Sequence, residues 1–218
     1  MRRKVCSLFS TTTCMSDILC VTNRSLCTGD FLTRIEKIAR CRPAGIILRE
    51  KDLSAGEYKT LAGRVLEICA AGNTPCILHS FADTAIALGA PAIHLPLHML
   101  HCMSKAQRSC FKTIGVSCHS LEDAAEARRL GCSYIIAGHI FKTYCKRGLP
   151  GRGLDFLQSV CKSVSIPVYG IGGIGRDNIG LVYRSGAAGA CVMSGAMSCE
   201  DADTYFKELE RSDKHVRC

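Results

Sequence analysis

Eight short runs of apolar, largely β-branched residues recur along the chain, at 18–22, 45–49, 76–79, 92–95, 113–117, 134–138, 168–172 and 190–194. Each is apolar almost throughout, which fits a strand covered on both faces better than one with a solvated side. Between them lie segments of helical period, among them 32–41, 58–72, 121–131 and 202–212. Ser54 and Ser120 stand where helix N-caps belong, the second with Asp123 three residues on, and Gly72, Gly89 and Gly131 stand where helices should end. Buried strands alternating with helices predict an α/β domain with a parallel sheet, and eight such units predict closure into a single (β/α)₈ TIM barrel. A doubly wound open sheet is the runner-up, but Thr22-Asn23-Arg24-Ser25 after the first strand is no glycine-rich dinucleotide turn.

In a closed parallel barrel, ligands meet the C-terminal ends of the strands, so the chemistry should be sought there. Those ends carry Arg49 and Lys51, His79 and Ser80, His94, Ser117 and His119, His139, Gly172-Gly173 and Ser194-Gly195. Arg49 and Lys51 are two apart, as are Ser117 and His119, so each pair can face one side of an extended chain. GIGGIG at 170–175 followed by VMSGAM at 192–197 suggests a phosphate cup on adjacent loops, with Gly172, Gly173, Met193, Ser194 and Gly195 offering backbone N–H groups. The competing interpretation is that these glycines only turn the chain.

Four histidines at strand ends, His79, His94, His119 and His139, raise the question of zinc, but no His-x-His pair or strand-end carboxylate completes a shell. We therefore expect no metal and no cofactor. His94, followed by Leu95-Pro96, reads as a packed core histidine; His79 and His139 are balanced between structure and substrate contact; His119 is the best general acid/base candidate.

The sixteen cysteines are scattered through strand and helix patterns with no Cys-x-x-Cys, so most should be buried, reduced thiols in a cytoplasmic protein. A net charge of +9 without aromatic interleaving or a basic stripe suits a small anionic substrate and not nucleic acid. No run approaches the length of a membrane span. Residues 1–14 are basic, then Ser/Thr-rich, without the apolar core of a secretory signal; they read as a flexible extension to a barrel domain at 15–218, and Met15 is an alternative start. The sequence leaves open whether two copies pair as a homodimer.

IILREKD at 46–52, DTAIALGAPAIHL at 83–95, GHIFKTYCKRGLPGRG at 138–153, IPVYGIGGI at 166–174 and AGACVMSGA at 188–196 resemble the thiamine phosphate synthase/TenI superfamily over nearly the whole chain from Ile18 onward. HLP at 94–96, GVSCHS at 115–120 and the 138–153 segment are closest to TenI, the thiazole tautomerase branch. The synthase branch couples a pyrimidine pyrophosphate to thiazole phosphate and needs Mg²⁺, with a pattern Gln-x-Arg-x-Lys, then Asn-Asp, then a further Asp. This chain keeps Arg49 and Lys51 but has Ile47, His79-Ser80 and Met99 at the other positions, so both carboxylates are gone.

The resemblance therefore implies, as the main expectation, a tautomerase that aromatises a carboxythiazole phosphate. His119 would shuttle the proton, Ser117, Arg49 and Lys51 would hold the carboxylate, and Gly173, Met193 and Ser194 the phosphate. His79 and His139 are further substrate contacts, and Lys146 matches a phosphate-contacting position of the synthases. Two alternatives stand: thiamine phosphate synthase itself, and a non-catalytic regulatory protein that binds thiazole phosphate.

Overall fold

The computed structural model describes residues 16–143, 146 and 148–214; the extension expected at 1–14, and with it Met15, lies outside them. Strands β1 (Ile18–Val21), β2 (Gly45–Leu48), β3 (Cys76–His79), β4 (Ala92–Pro96), β5 (Thr113–Cys118), β6 (Tyr134–Gly138), β7 (Val168–Ile171) and β8 (Gly189–Val192) form a closed parallel barrel in chain order. Closure is by β1 on β8, with Leu19 opposite Cys191. The expected (β/α)₈ barrel is what the chain forms.

The helices are α1 (Phe31–Arg40), α2 (Ala55–Ala71), α3 (Ala82–Ala87), α4 (Leu97–Cys102), α5 (Lys105–Ser109), α6 (Leu121–Arg129), α7 (Gly153–Ser163), α8 (Ile179–Arg184), α9 (Ser194–Ser198) and α10 (Ala202–Lys214). Ser54 caps α2 in a full capping box with Glu57, and the Ser120 hydroxyl accepts from Asp123 N–H at the start of α6. Gly72 closes α2 where a Cβ would lie 2.9 Å from the Ala39 side chain of α1, so the small residue also lets the two helices approach. No helix among the described residues is long and apolar enough to cross a membrane.

Alternation along each strand separates two cores. Ile18, Cys20, Ile46, Leu48, Ile135 and Ala137 pack outward under the helices, while Leu19, Val21, Ile47, Ile77, Tyr134, Ile136, Tyr169 and Cys191 fill the barrel. Gly115 is an inner position with no room for a side chain, because the Tyr134 ring occupies that space. The inward parity runs on past Ile47 to Arg49 and past Ile77 to His79. That parity is the reason polar residues end these strands: they top an apolar barrel at its open mouth.

Four strands stop earlier than their composition suggests, β1 at Val21, β2 at Leu48, β7 at Ile171 and β8 at Val192. Between β1 and β2 the reason is local: the Thr22 N–H still donates to the Ile47 carbonyl at 2.9 Å, but the Arg49 N–H that would continue the ladder donates to the Thr22 hydroxyl at 3.0 Å instead. Of the twelve described cysteines, all free thiols, six are buried, four half-buried and two exposed.

Candidate active site

The floor of the mouth is a chain of uncharged polar groups. His94 is buried, with Nδ1 3.2 Å from the Tyr134 hydroxyl and Nε2 2.9 Å from Ser117 Oγ. Both ring nitrogens are therefore engaged, as expected of a core histidine. The His79 ring stacks on it at 5.8 Å, and His79 Nδ1 lies 2.7 Å from Ser80 Oγ. Behind them the Tyr58 hydroxyl donates to the Leu48 carbonyl at 2.7 Å and accepts from the His79 N–H at 2.9 Å, tying β2 to β3. Burial, then Arg49 and Lys51, push the His79 imidazole down to about 3; burial, His79 and Arg49 push His94 well below the ordinary histidine value. Both rings are neutral at physiological pH.

Above the floor stand three cations. The pairing of Leu48 with Leu78 carries Arg49 to a place beside His79. Lys51 follows two residues on, and its ammonium is held below the usual lysine range by partial burial, by Arg49 and by Lys146. Lys146, from the loop between β6 and α7, therefore faces the same region although it is far away in sequence. The two acids nearest in sequence are committed elsewhere. Buried Glu50 accepts from the Thr22 hydroxyl at 2.6 Å and from Arg24 N–H at 3.0 Å, and Asp52 accepts from the Arg24 guanidinium at 2.7 Å. Burial raises the Glu50 carboxyl above the usual range, opposed by its bonds to Thr22 and Arg24. This brace of Thr22, Arg24, Glu50 and Asp52 was not foreseen in the sequence; its one signal is an acid placed between two inward cations at the opposite parity.

On the far rim, Gly172 and Gly173 follow β7 with φ of 103° and 65°, and Asn178 fixes their loop by donating from Nδ2 to the Gly173 carbonyl at 2.8 Å while accepting from Gly175 N–H at 2.9 Å. Met193 and Ser194 follow β8, so the candidate cup residues lie on neighbouring loops. Gly195 has a packing reason of its own, since the Tyr205 ring fills the place a Cβ would take. Gly172 and Gly173 likewise abut His139, Phe141 and Lys142.

His139 packs at Gly172, its Nε2 3.5 Å from the Leu149 carbonyl. His119 is exposed just past β5, with Nδ1 2.9 Å from the Gly138 carbonyl oxygen. A carbonyl only accepts, so Nδ1 carries the proton and, in the neutral ring, Nε2 is the free acceptor.

The resemblance implies Mg²⁺ for the synthase branch, so the donor set is the test. A hard cation takes oxygen ligands, carboxylates above all. Among the described residues no three His, Cys, Asp or Glu side chains are grouped to hold a metal ion. Glu50 and Asp52 are spent on Thr22 and Arg24, His94 has no free nitrogen, and half-buried Met99 packs against the core. The described residues do not fit the metal.

A family model described as thiamine monophosphate synthase matches residues 18–196. The chain belongs to the thiamine monophosphate synthase family. Among the relatives of the family, "Thiamine-phosphate synthase 2" of Streptococcus pneumoniae serotype 4 is 32% identical over 188 residues, covering 82% of this chain and 88% of that one. "Thiamine-phosphate synthase" of Desulfitobacterium hafniense is 35% identical over 186 residues, covering 83% and 88%. A solved thiamine phosphate pyrophosphorylase from Pyrococcus furiosus superposes with a TM-score of 0.79 at 26% identity, covering 92% of this chain and 96% of that one.

These relatives overturn the main functional expectation. They are named synthases, and the match to the family does not single out the TenI branch, so the isomerase assignment built on the motifs around His119 and the 138–153 segment is withdrawn. The two branches share the barrel and the motifs that carry the resemblance, so those motifs carried less discrimination than their length suggested. With the isomerase goes the proton-shuttle role of His119; Ser117 stands on the floor with its hydroxyl 2.9 Å from His94 Nε2.

Proposed function

We propose that this chain is a transferase of the thiamine-phosphate synthase kind, joining a pyrimidine pyrophosphate to a thiazole phosphate at the C-terminal mouth of the barrel. The observation that carries the reading is the set of relatives named thiamine-phosphate synthase at 32–35% identity over more than four-fifths of the chain. The site supports it by offering two places for anions on one mouth. Arg49, Lys51 and Lys146 serve the pyrophosphate, and backbone N–H groups of Gly172, Gly173, Met193, Ser194 and Gly195 serve the thiazole phosphate. Between them the neutral floor of His79, His94, Ser117 and Tyr134 presents no charge to the heteroaromatic rings, while His139 and His119 line the rim beside the cup and β5.

The joining forms a bond from a thiazole nitrogen to the pyrimidine's methylene carbon, and the carbon–oxygen bond to pyrophosphate breaks with its electron pair on the leaving oxygen. No proton has to travel between two carbons. What the site must supply is alignment and stabilisation of the departing charge. Free thiols throughout the described chain suit a cytoplasmic, reducing setting.

The test is direct. Purified protein is incubated with both substrates, and thiamine phosphate is measured after oxidation to its fluorescent thiochrome. Formation above the protein-free rate is the expected result. Its absence both with Mg²⁺ and with EDTA would remove this function.

A further inference from the structure

We propose that this chain holds the pyrophosphate of its substrate without a divalent cation, Arg49, Lys51 and Lys146 together supplying the positive charge. The proposal rests on the function just given, because it names how one of the two substrates is held. Its ground is the mismatch between a family that uses a metal and a mouth that has no ligands for one.

Three observations converge on it. The two positions where a metal's carboxylates would be expected hold Ser80 and Met99, and His79 beside the first of them is buried and neutral. The carboxylates that do lie next to the cations are turned away: Glu50 lies beneath Thr22 and the Arg24 backbone, and Asp52 is bonded to the Arg24 side chain. The three cations share one region of the mouth: Arg49 and Lys51 leave the same strand end two residues apart, and the Lys51 ammonium is held below the usual lysine range first by partial burial and then by the charges of Arg49 and Lys146. Like charges gathered without an acid among them are costly in the empty site and become favourable when a polyanion arrives. A metal ion in the same place would be repelled by those cations and, among the described residues, would find no grouped set of donors to bind it. The leaving pyrophosphate gains its stabilisation from fixed side-chain charge, with Arg49 able to bond two oxygens at once and the lysines acting as point charges.

Titration calorimetry of the full chain with inorganic pyrophosphate, in EDTA and again in excess Mg²⁺, tests this. Saturable binding in EDTA that weakens when Mg²⁺ complexes the ligand is expected. Lys51→Gln and Lys146→Gln should each bind about tenfold more weakly, with melting temperatures unchanged since both side chains are exposed. Binding seen only with Mg²⁺, binding in neither condition, or affinity unaltered in both variants would overturn the proposal. The coupling assay separates the two readings. Thiamine phosphate formed only with Mg²⁺ overturns metal-free binding and leaves the function standing. Pyrophosphate bound in EDTA, with no thiamine phosphate formed under any condition, supports the cation cluster and overturns the function.

Discussion

His79 and His94 show how one residue type takes opposite roles according to where a strand puts it. Their neighbour in the mouth, His119, keeps an exposed ring, while these two sit 5% and 2% exposed on the barrel floor. Because the fold holds both rings neutral, the unfolded chain takes up their protons at a higher pH than the native state does. The stability this allows is present above about pH 6.5 and is lost as pH falls toward about 3. Between pH 6.5 and 5, where few carboxylates titrate, each histidine should steepen the loss by about 1.4 kcal/mol per pH unit. Urea unfolding of His79→Asn and His94→Gln across that window should show a shallower acid slope than the parent; equal slopes would place the titrating groups elsewhere. At this scale the sequence was readable in part. A two-residue step from a strand end brought out Arg49 and Lys51, and the apolar flanks of His94 marked it as core. Glu50 was not readable, because its partners lie 26 and 28 residues earlier and meet it only through the pairing of β1 with β2.

The loop after β7 makes the same point for an element, since its three neighbouring glycines look alike in sequence and differ in the fold. Gly173 has φ 65° and no room for a Cβ beside Phe141, whereas Gly175 has nothing within 4 Å of that position and no left-handed backbone. Gly173→Ala should cost at least the roughly 1–2 kcal/mol of forcing an L residue into the left-handed region. Gly175→Ala should stay within about 0.5 kcal/mol of the parent. Denaturant midpoints decide it, and similar losses in both would mean the loop is not built as described. The consequence for function is that a bulky residue at Gly173, which from sequence alone reads as a clean block to phosphate, tests folding first. Helix starts were more legible than strand ends because caps are local: Ser54 with Glu57 and Ser120 with Asp123 bond as their spacing suggests. Lys146 was legible only as a resemblance, since nothing local says that a loop lysine returns to face Lys51.

For the whole molecule, eight near-identical β–α steps leave little choice but closure, whereas the chemistry depends on a few side chains at the mouth that closure does not specify. The barrel and the approximate location of the site were therefore accessible from the pattern of residues, and the choice between two reactions sharing a thiazole phosphate was not. If the mouth holds two anions in separate places, loading one should stabilise the protein independently of the other. Thiazole phosphate at about 100 times its dissociation constant should add about 2.7 kcal/mol and raise the melting temperature by roughly 5–10 °C, in EDTA as in Mg²⁺. Asn178→Ala removes the side chain that braces the Gly173 carbonyl and the Gly175 N–H, and should shrink that shift. The shift produced by inorganic pyrophosphate should survive, because Arg49, Lys51 and Lys146 belong to other loops. Lys51→Gln should do the reverse. A variant of either kind that diminishes both shifts equally would show one shared anion site and not two, and would make the loop after β7 part of the general framework of the mouth.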